Sequence, residues 1–423
     1  MNTAAMFFKE CKKTIKSIPY MAYVAILLIF ILTQLMPEFK KIDEPQPEQR
    51  SYGVKYTEDP EIIMPAAINN LYQEFISNSY TAYPLGFYKN IKLNNKKQEE
   101  MAGILAEVTG VSKDELLQSA ITEEFTHVVQ IDINAAINYE EFLYLMKKAD
   151  RIIGGGSMYS ELYLYQFGKI DKTYEDALTE YIDIIQKDRV SGAYARLFSD
   201  YAGIILAVCP VFVAVTLGLK DKMSRMNDLI YTRQASSIKI VFVRYFAMIS
   251  MMLLPVLLIA FWLTMEVVKF YSEESMINMY ANFDMLAFVK YTFGWLLPTL
   301  MVSTAVGVFL TGLTGTPIAI LVQGLWWFFG LFSGIRIMEG GYGWSLAPRH
   351  NILGNTRVYL ENFKLLMVNR IIYAVMAIVL VSVSALVYEA KRKGRFYTYD
   401  SNRKSILISI RKVFVNYEKI SKA

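Results

Sequence analysis

The sequence predicts an all-α integral membrane protein, with six transmembrane helices and a mainly helical extracellular domain inserted after the first of them. Three observations predict it. Hydrophobic residues fill 54% of the 423 positions and charged residues only 20%, with a mean hydropathy of +0.28, which points to a membrane protein carrying a sizeable polar portion. The apolar residues are gathered into five charge-free intervals, one of them long enough for two helices. The longest polar segment carries helix start and stop signals throughout.

Residues 1–18 read as an interfacial amphipathic helix. In "FFKECKKTIKSI", Phe7, Cys11, Ile15 and Ile18 share one helical face, while Lys9, Lys12, Lys13 and Lys16 spread over the others. Such a helix lies in the headgroup region, its lysines drawn to anionic lipid. The first span covers 19–37. The "LMPEF" that follows lacks a small-x-small cleavage site, so the span reads as a retained anchor.

The segment 38–199 reads as the extracellular domain. Ser112 and Glu115 have capping-box spacing, as do Asn138 and Glu141, and Gly154–Gly156 stops the helix that Asn138 starts. Thr173 reads as an N-cap, with Tyr174, Leu178, Tyr181, Ile182 and Ile185 on one face of the helix that follows. "DINAAINYEEF" lacks the glycine and the final glutamate of a calcium loop.

The second span covers 200–219 and the third 245–265, joined by a charged loop at 220–244. Pro210 and Pro255 fall within these spans. Proline is tolerated there because neighbouring helices re-satisfy the carbonyls it frees. A loop at 266–290 leads to the fourth span, 291–311. The breakers of "TGLTGTP" place a turn at 312–316 before the fifth span, 317–336. The loop 337–369, with its glycines, Trp344 and Pro348, reads as external with short re-entrant helices. The sixth span covers 370–389, and a basic tail occupies 390–423, where Ile406, Ile410, Val413, Phe414 and Tyr417 make a second apolar stripe.

Lysine and arginine set the orientation. They concentrate in the N-terminal segment, in the loop after span two and in the tail, which six spans place on one side. That side is expected to be the cytoplasm of a multi-pass protein of the bacterial plasma membrane, with both termini inside. Cys11 and Cys209 lie at different depths and are expected to be unbridged.

Several function classes are disfavoured. A net charge of +5 does not suggest nucleic acid. No phosphate-binding G-x-x-x-x-G-K-[ST] loop, nucleophile elbow or H-E-x-x-H occurs, so no catalytic activity or cofactor of its own is expected. The charge-free intervals hold no ionisable group of the kind an ion-driven carrier buries.

This layout resembles the permease subunit of ABC transporters of the type-2 exporter family. The residues that carry the resemblance lie in "MSRMNDLIYTRQASSIKIVFVRYF" and just before it. In that family the loop between spans two and three forms a coupling helix that seats in a groove of the ATPase. Asp221 matches its acidic residue, Leu229–Ile230 its leucine pair and Arg244 the basic residue before span three. Met226–Asn227 stand where Gly-Thr is common, and Gln234–Ala235 where proline is common. The spacing suits the role. Met226, Leu229 and Ile230 can anchor, and Arg225, Asp228 and Arg233 can pair with a partner. A basic loop that touches only lipid headgroups is the competing reading of the same residues.

The resemblance implies a non-catalytic permease that pairs with a second permease, as homodimer or heterodimer, and recruits two ABC ATPase subunits that hold ATP and Mg. Its cargo would be amphipathic: an antimicrobial peptide, a lipid or a drug. The alternative from another class is a membrane sensor or immunity protein that binds an extracellular ligand through 38–199.

Overall fold

The computed structural model describes residues 3–84, 88–122, 131–223, 235–271, 283–335 and 341–393. The chain is mostly helical and divides into two compact units. One comprises Met1–Lys41, Asp188–Leu331 and Tyr342–Ala423, the other Ile42–Lys187 with Phe332–Gly341.

The first unit begins with α1 (Thr3–Ile15), which packs on the long helix α10 described below. Its buried residues are Met6, Cys11 and Thr14. The expected stripe is therefore corrected. Ile15 is exposed, and Ile18 is 82% exposed because the chain turns at Ser17 and Ile18 opens a new helix. That helix, α2 (Ile18–Phe30), continues through a π-turn at Ile31–Leu35 and a 3-10 turn at Met36–Glu38.

The unit then resumes with α8 (Ser191–Leu206), α9 (Cys209–Met223), α10 (Ser237–Phe270), α11 (Ala287–Thr314, with a π-turn at Thr292–Leu296), α12 (Ile318–Ile335, of which the unit takes the part up to Leu331) and α13 (Thr356–Arg392). Among the described residues, five stretches are long and apolar enough to cross a membrane: Ile18–Glu38, Ser191–Lys220, Ser237–Phe270, Ala287–Thr314 and Thr356–Arg392. Large apolar side chains such as Met21, Ile29, Leu321, Phe329, Ile371 and Val375 point away from the rest of the unit. Outward apolar faces of this size suit a hydrocarbon solvent. Cys11 and Cys209 are buried and unbridged.

The two prolines are accommodated by side chains from other helices. Pro210 lacks the N–H that would serve the Leu206 carbonyl, and the helix breaks at 207–208. Ser303 Oγ donates to that carbonyl at 2.9 Å. Gln323 Nε2 donates to the Ala207 carbonyl at 2.6 Å, and Trp327 Nε1 to that of Ile204 at 2.9 Å. Pro255 lies inside α10 without breaking it. The Met251 carbonyl that it deprives accepts from Tyr20 Oη at 3.2 Å, and the adjacent Met252 carbonyl from Tyr23 Oη at 2.7 Å. Close approach completes the packing. A Cβ at Gly307 of α11 would lie 2.7 Å from Ala214 Cβ of α9, so only glycine allows these helices to meet as they do.

Two expectations about element limits are corrected. The helix of span two starts at Ser191, and so includes Arg196 and Asp200. Among the described residues of the segment expected to hold re-entrant helices, 341–355 has no helix, and 356–369 forms the first turns of α13. That helix has 37 residues, or about 55 Å at 1.5 Å per residue. It is much longer than the ~30 Å of a bilayer core.

The second unit contains α3 (Pro60–Ser77), α4 (Asn95–Thr109), α5 (Lys113–Thr122), α6 (Tyr139–Ile153) and α7 (Tyr174–Gln186). Two antiparallel ribbons of three-residue strands add to the expected helices. β1 (Val54–Tyr56) pairs with β4 (Lys169–Asp171), and β2 (Tyr80–Ala82) with β3 (Lys89–Ile91). The capping boxes of Asn138 with Glu141 and of Thr173 with Asp176 both form. Glu115 N donates to Ser112 Oγ at 3.3 Å. Gly154 ends α6 at a φ of 122°, which explains a glycine there. On α7 the buried residue is Ile184, whereas Ile182, expected on the inner face, is exposed.

One core spans this unit, built from Leu71 and Phe75 of α3, Leu105 of α4, and Phe142 and Met146 of α6. Glu74 is buried within it. Its two carboxylate oxygens accept from Thr81 N at 2.8 Å and Tyr159 Oη at 2.6 Å. Burial raises its pKa above the ordinary value, and these hydrogen bonds pull the other way.

Candidate functional site

The expected coupling residues Arg225, Met226, Asp228, Leu229, Ile230 and Arg233 lie outside the described residues. The described flanks show how their loop is mounted. On one side, α9 ends at Met223. On the other, Ser236 caps α10, its Oγ accepting from Lys239 N at 3.3 Å.

The end of α13 holds this second flank. Arg392 Nη1 donates to the Ala235 carbonyl at 2.8 Å. Ser237 Oγ donates to the Glu389 carboxylate, which also pairs with Lys393 at 2.9 Å. Two residues after Glu389, Lys391 Nζ donates to the carbonyls of Gly312 at 2.5 Å and Leu313 at 3.2 Å. The last turn of α13 thus ties the start of α10 to the last turn of α11. The carbonyls it serves belong to helix ends and turns, which lack intrahelical partners. Arg244 of α10 lies 3.5 Å from Glu10 of α1, so α1 joins the same end of the unit.

The opposite end of the unit holds a second polar constellation, around the irregular segment 342–355. Arg196 of α8 donates from Nη1 and Nη2 to both oxygens of Asp188, whose Oδ2 also accepts from Thr356 Oγ1. The Arg196 guanidinium stacks over the Tyr359 ring, 4.5 Å from its centroid. Asp200 forms an ion pair with Arg349. Its Oδ2 also accepts from the backbone N–H groups of His350 at 3.1 Å and Asn351 at 2.7 Å.

Arg370 of α13 serves the rest of the segment. It donates to the carbonyls of Ser345 and Trp295 at 3.1 Å and Leu346 at 3.3 Å, and to Thr299 Oγ1 at 2.7 Å. Tyr373 Oη donates to the Trp344 carbonyl at 2.6 Å. Irregular backbone among apolar helices needs partners of this kind for its carbonyls.

His350 is fully buried here. Its Nε2 lies 2.9 Å from the Gly354 carbonyl oxygen and 3.3 Å from Arg196 Nε. One nitrogen cannot donate to the first and accept from the second at once. Donation to the carbonyl is the shorter contact, and it leaves Nδ1 to accept from the Tyr342 hydroxyl. Burial, and then the Arg196 charge, depress the His350 pKa to about 3, so the ring is neutral.

This constellation corrects the expectation that the apolar helices bury no charge. Arg196, Asp200 and Arg370 are at most 3% exposed. The sequence signal was the run "SGAYARLFSDYAG", where charges are embedded among small and apolar residues. The charge-free windows stopped at Asp200, whereas the helix runs through it because each charge has a partner.

No protein-family model matches the chain, and no curated protein or solved structure matches it.

Proposed function

We propose that the chain is the membrane permease subunit of an ATP-driven exporter of the ABC type-2 class, with ATP hydrolysed by a separate subunit. The observation that carries this reading is the mounting of the loop between α9 and α10. The last turn of α13 grips its second flank through Arg392 and Ala235 and reaches the last turn of α11 through Lys391. A push on the loop therefore acts on α10, α11 and α13 together. A coupling element must pass a displacement to several helices at once, and packed elements pass such displacements as discrete rearrangements.

In this reading α12 is the sixth crossing, its 18 residues spanning about 27 Å. The lysine-rich end faces the cytoplasm and Ile42–Lys187 lies outside. Arg225, Met226, Asp228, Leu229, Ile230 and Arg233 form the contact with the ATPase. Two permeases and two ATPases make the transporter, and an amphipathic cargo moves outward through differential binding to two states.

Co-purification tests the reading. The protein in mild detergent is expected to retain an ATPase encoded beside it, and Leu229→Asp to abolish both retention and export. Export that continues without an ATPase overturns it. The alternative of a ligand-binding sensor draws on the separate core of Ile42–Lys187. It predicts a signalling output that survives loss of the ATPase.

A further inference from the structure

We propose that the groove between α1 and α10 is a binding site for one anionic phospholipid, with its phosphate on Lys12 and Lys16 and an acyl chain laid against Met251. This inference needs only that the unit sits in a bilayer, and it stands or falls separately from the transporter reading.

The groove has a volume of about 370 Å³ and is walled by Phe7, Phe8, Ile15 and Met251, with Lys12 and Lys16 among its lining residues. That volume lies in the range of small-ligand sites, roughly 300–1,000 Å³. The two lysines are four residues apart, a spacing that places both on one helix face. Both are exposed, and neither has an ion-pair partner among the described residues, whereas the neighbouring Lys13 pairs with Glu10 at 3.7 Å.

Depth matches a lipid as well. Arg244 of α10, beside Glu10, marks a polar level. Met251 is seven residues further along α10, or about 10 Å, in the apolar part of the helix. Lys12, Lys16 and Met251 line one groove, and long lysine side chains carry their ammonium groups from such a position out to the headgroups while their stems stay on apolar surface.

Charge selects this occupant over two others. The chain's own tail carries Arg395, Arg403, Lys404, Arg411 and Lys412, which Lys12 and Lys16 would repel. A second copy docked about a two-fold axis would bring the same lysines face to face. An anionic lipid complements the lysines and fills the apolar floor.

Native mass spectrometry of the full chain in detergent tests the proposal. Phosphatidylglycerol and phosphatidylcholine with the same acyl chains are titrated onto delipidated protein. One phosphatidylglycerol per protomer is expected to be retained at a roughly 25-fold lower concentration than phosphatidylcholine, since each of the two lysines near a headgroup favours the anion about five-fold. Lys12→Gln with Lys16→Gln should bring the two lipids level. Lys147→Gln with Lys148→Gln, which removes the same charge from α6, should leave the preference intact. Met251→Trp fills the floor and should release the lipid although both lysines remain.

Four results would overturn the proposal. They are equal retention of the two lipids by the unaltered protein, a preference that survives the Lys12/Lys16 change, displacement by glycerol 3-phosphate, and a Lys12/Lys16 effect on the monomer–dimer ratio in place of lipid mass. A fifth is a bound lipid that appears only after residues 394–423 are deleted, which would assign the groove to the tail.

Discussion

Ser303 Oγ donates to the carbonyl oxygen of Leu206 at 2.9 Å, and Leu206 is the residue whose helical donor would have been Pro210. The hydroxyl of one helix thus replaces the N–H missing from another. A double-mutant cycle measures this. Ser303→Ala is expected to destabilise the protein in detergent by about 1 kcal/mol, with 2 kcal/mol as an upper limit. In a Pro210→Ala background, which restores the N–H, the same change should cost clearly less. Equal costs in the two backgrounds would show that the bond does not compensate for the proline.

The Arg196–Asp188 pair is buried, so its two halves should not be separable. Asp188→Leu alone strands a buried guanidinium and is expected to cost about 3–5 kcal/mol. Replacing both partners, as Arg196→Met with Asp188→Leu, should recover most of that loss, since an apolar pair carries no desolvation penalty. Thermal unfolding monitored by near-ultraviolet circular dichroism reads both. A double variant no better than the single one would argue that Arg196 is held chiefly by Thr356 and the Tyr359 ring.

His350 should make the first unit acid-sensitive. Its folded pKa is depressed to about 3, against an ordinary value near 6.5. Below about pH 6.5 the unfolded chain binds a proton that the folded one does not, so stability falls as pH drops through the window from 6.5 to 3. The loss is at most about 1.4 kcal/mol per pH unit. The unfolding midpoint measured from pH 7 to pH 4 should decline, and His350→Gln should flatten that decline. An unchanged slope in the variant would place the acid sensitivity elsewhere.

In the second unit, a Cβ at Gly168 would lie 2.1 Å from the Thr57 carbonyl oxygen. Gly168 also accepts from Thr57 N at 2.8 Å beside the β1–β4 ribbon. The obstacle is backbone, which cannot swing aside as a side chain does. Gly168→Ala is expected to cost on the order of 2 kcal/mol. Gly103→Ala, where no atom lies within 4 Å, should be neutral or slightly stabilising in its helix. Limited proteolysis after β4 separates the two variants.

Local signals were legible wherever a structure depends on neighbours in sequence. The capping residues Asn138 and Thr173 and the stop at Gly154 are visible because a helix end is satisfied by groups three or four positions away. The apolar stretches of α10 and α11 are visible because length and lack of charge are one-dimensional properties. The inward stripe of α1 is not legible in this way, since Ile18 belongs to the next helix once Ser17 turns the chain. The start of α8 is hidden for a related reason. Arg196 and Asp200 have the spacing of a local helix pair, yet they pair with Asp188 and Arg349, and no periodicity reports a partner 149 positions away.

The sequence by itself determined that the chain is mainly helical, that its apolar residues form membrane-length stretches, and that a separate polar unit interrupts them. These follow from composition and from periods of three to four residues. Only the tertiary structure decided which carbonyls Ser303, Gln323, Trp327 and Tyr20 complete, how far α8 and α13 extend past their apolar cores, and that Arg370 stitches down the irregular segment before α13. In each case a buried polar group must find a partner, and the partner that satisfies it lies on an element distant in the chain.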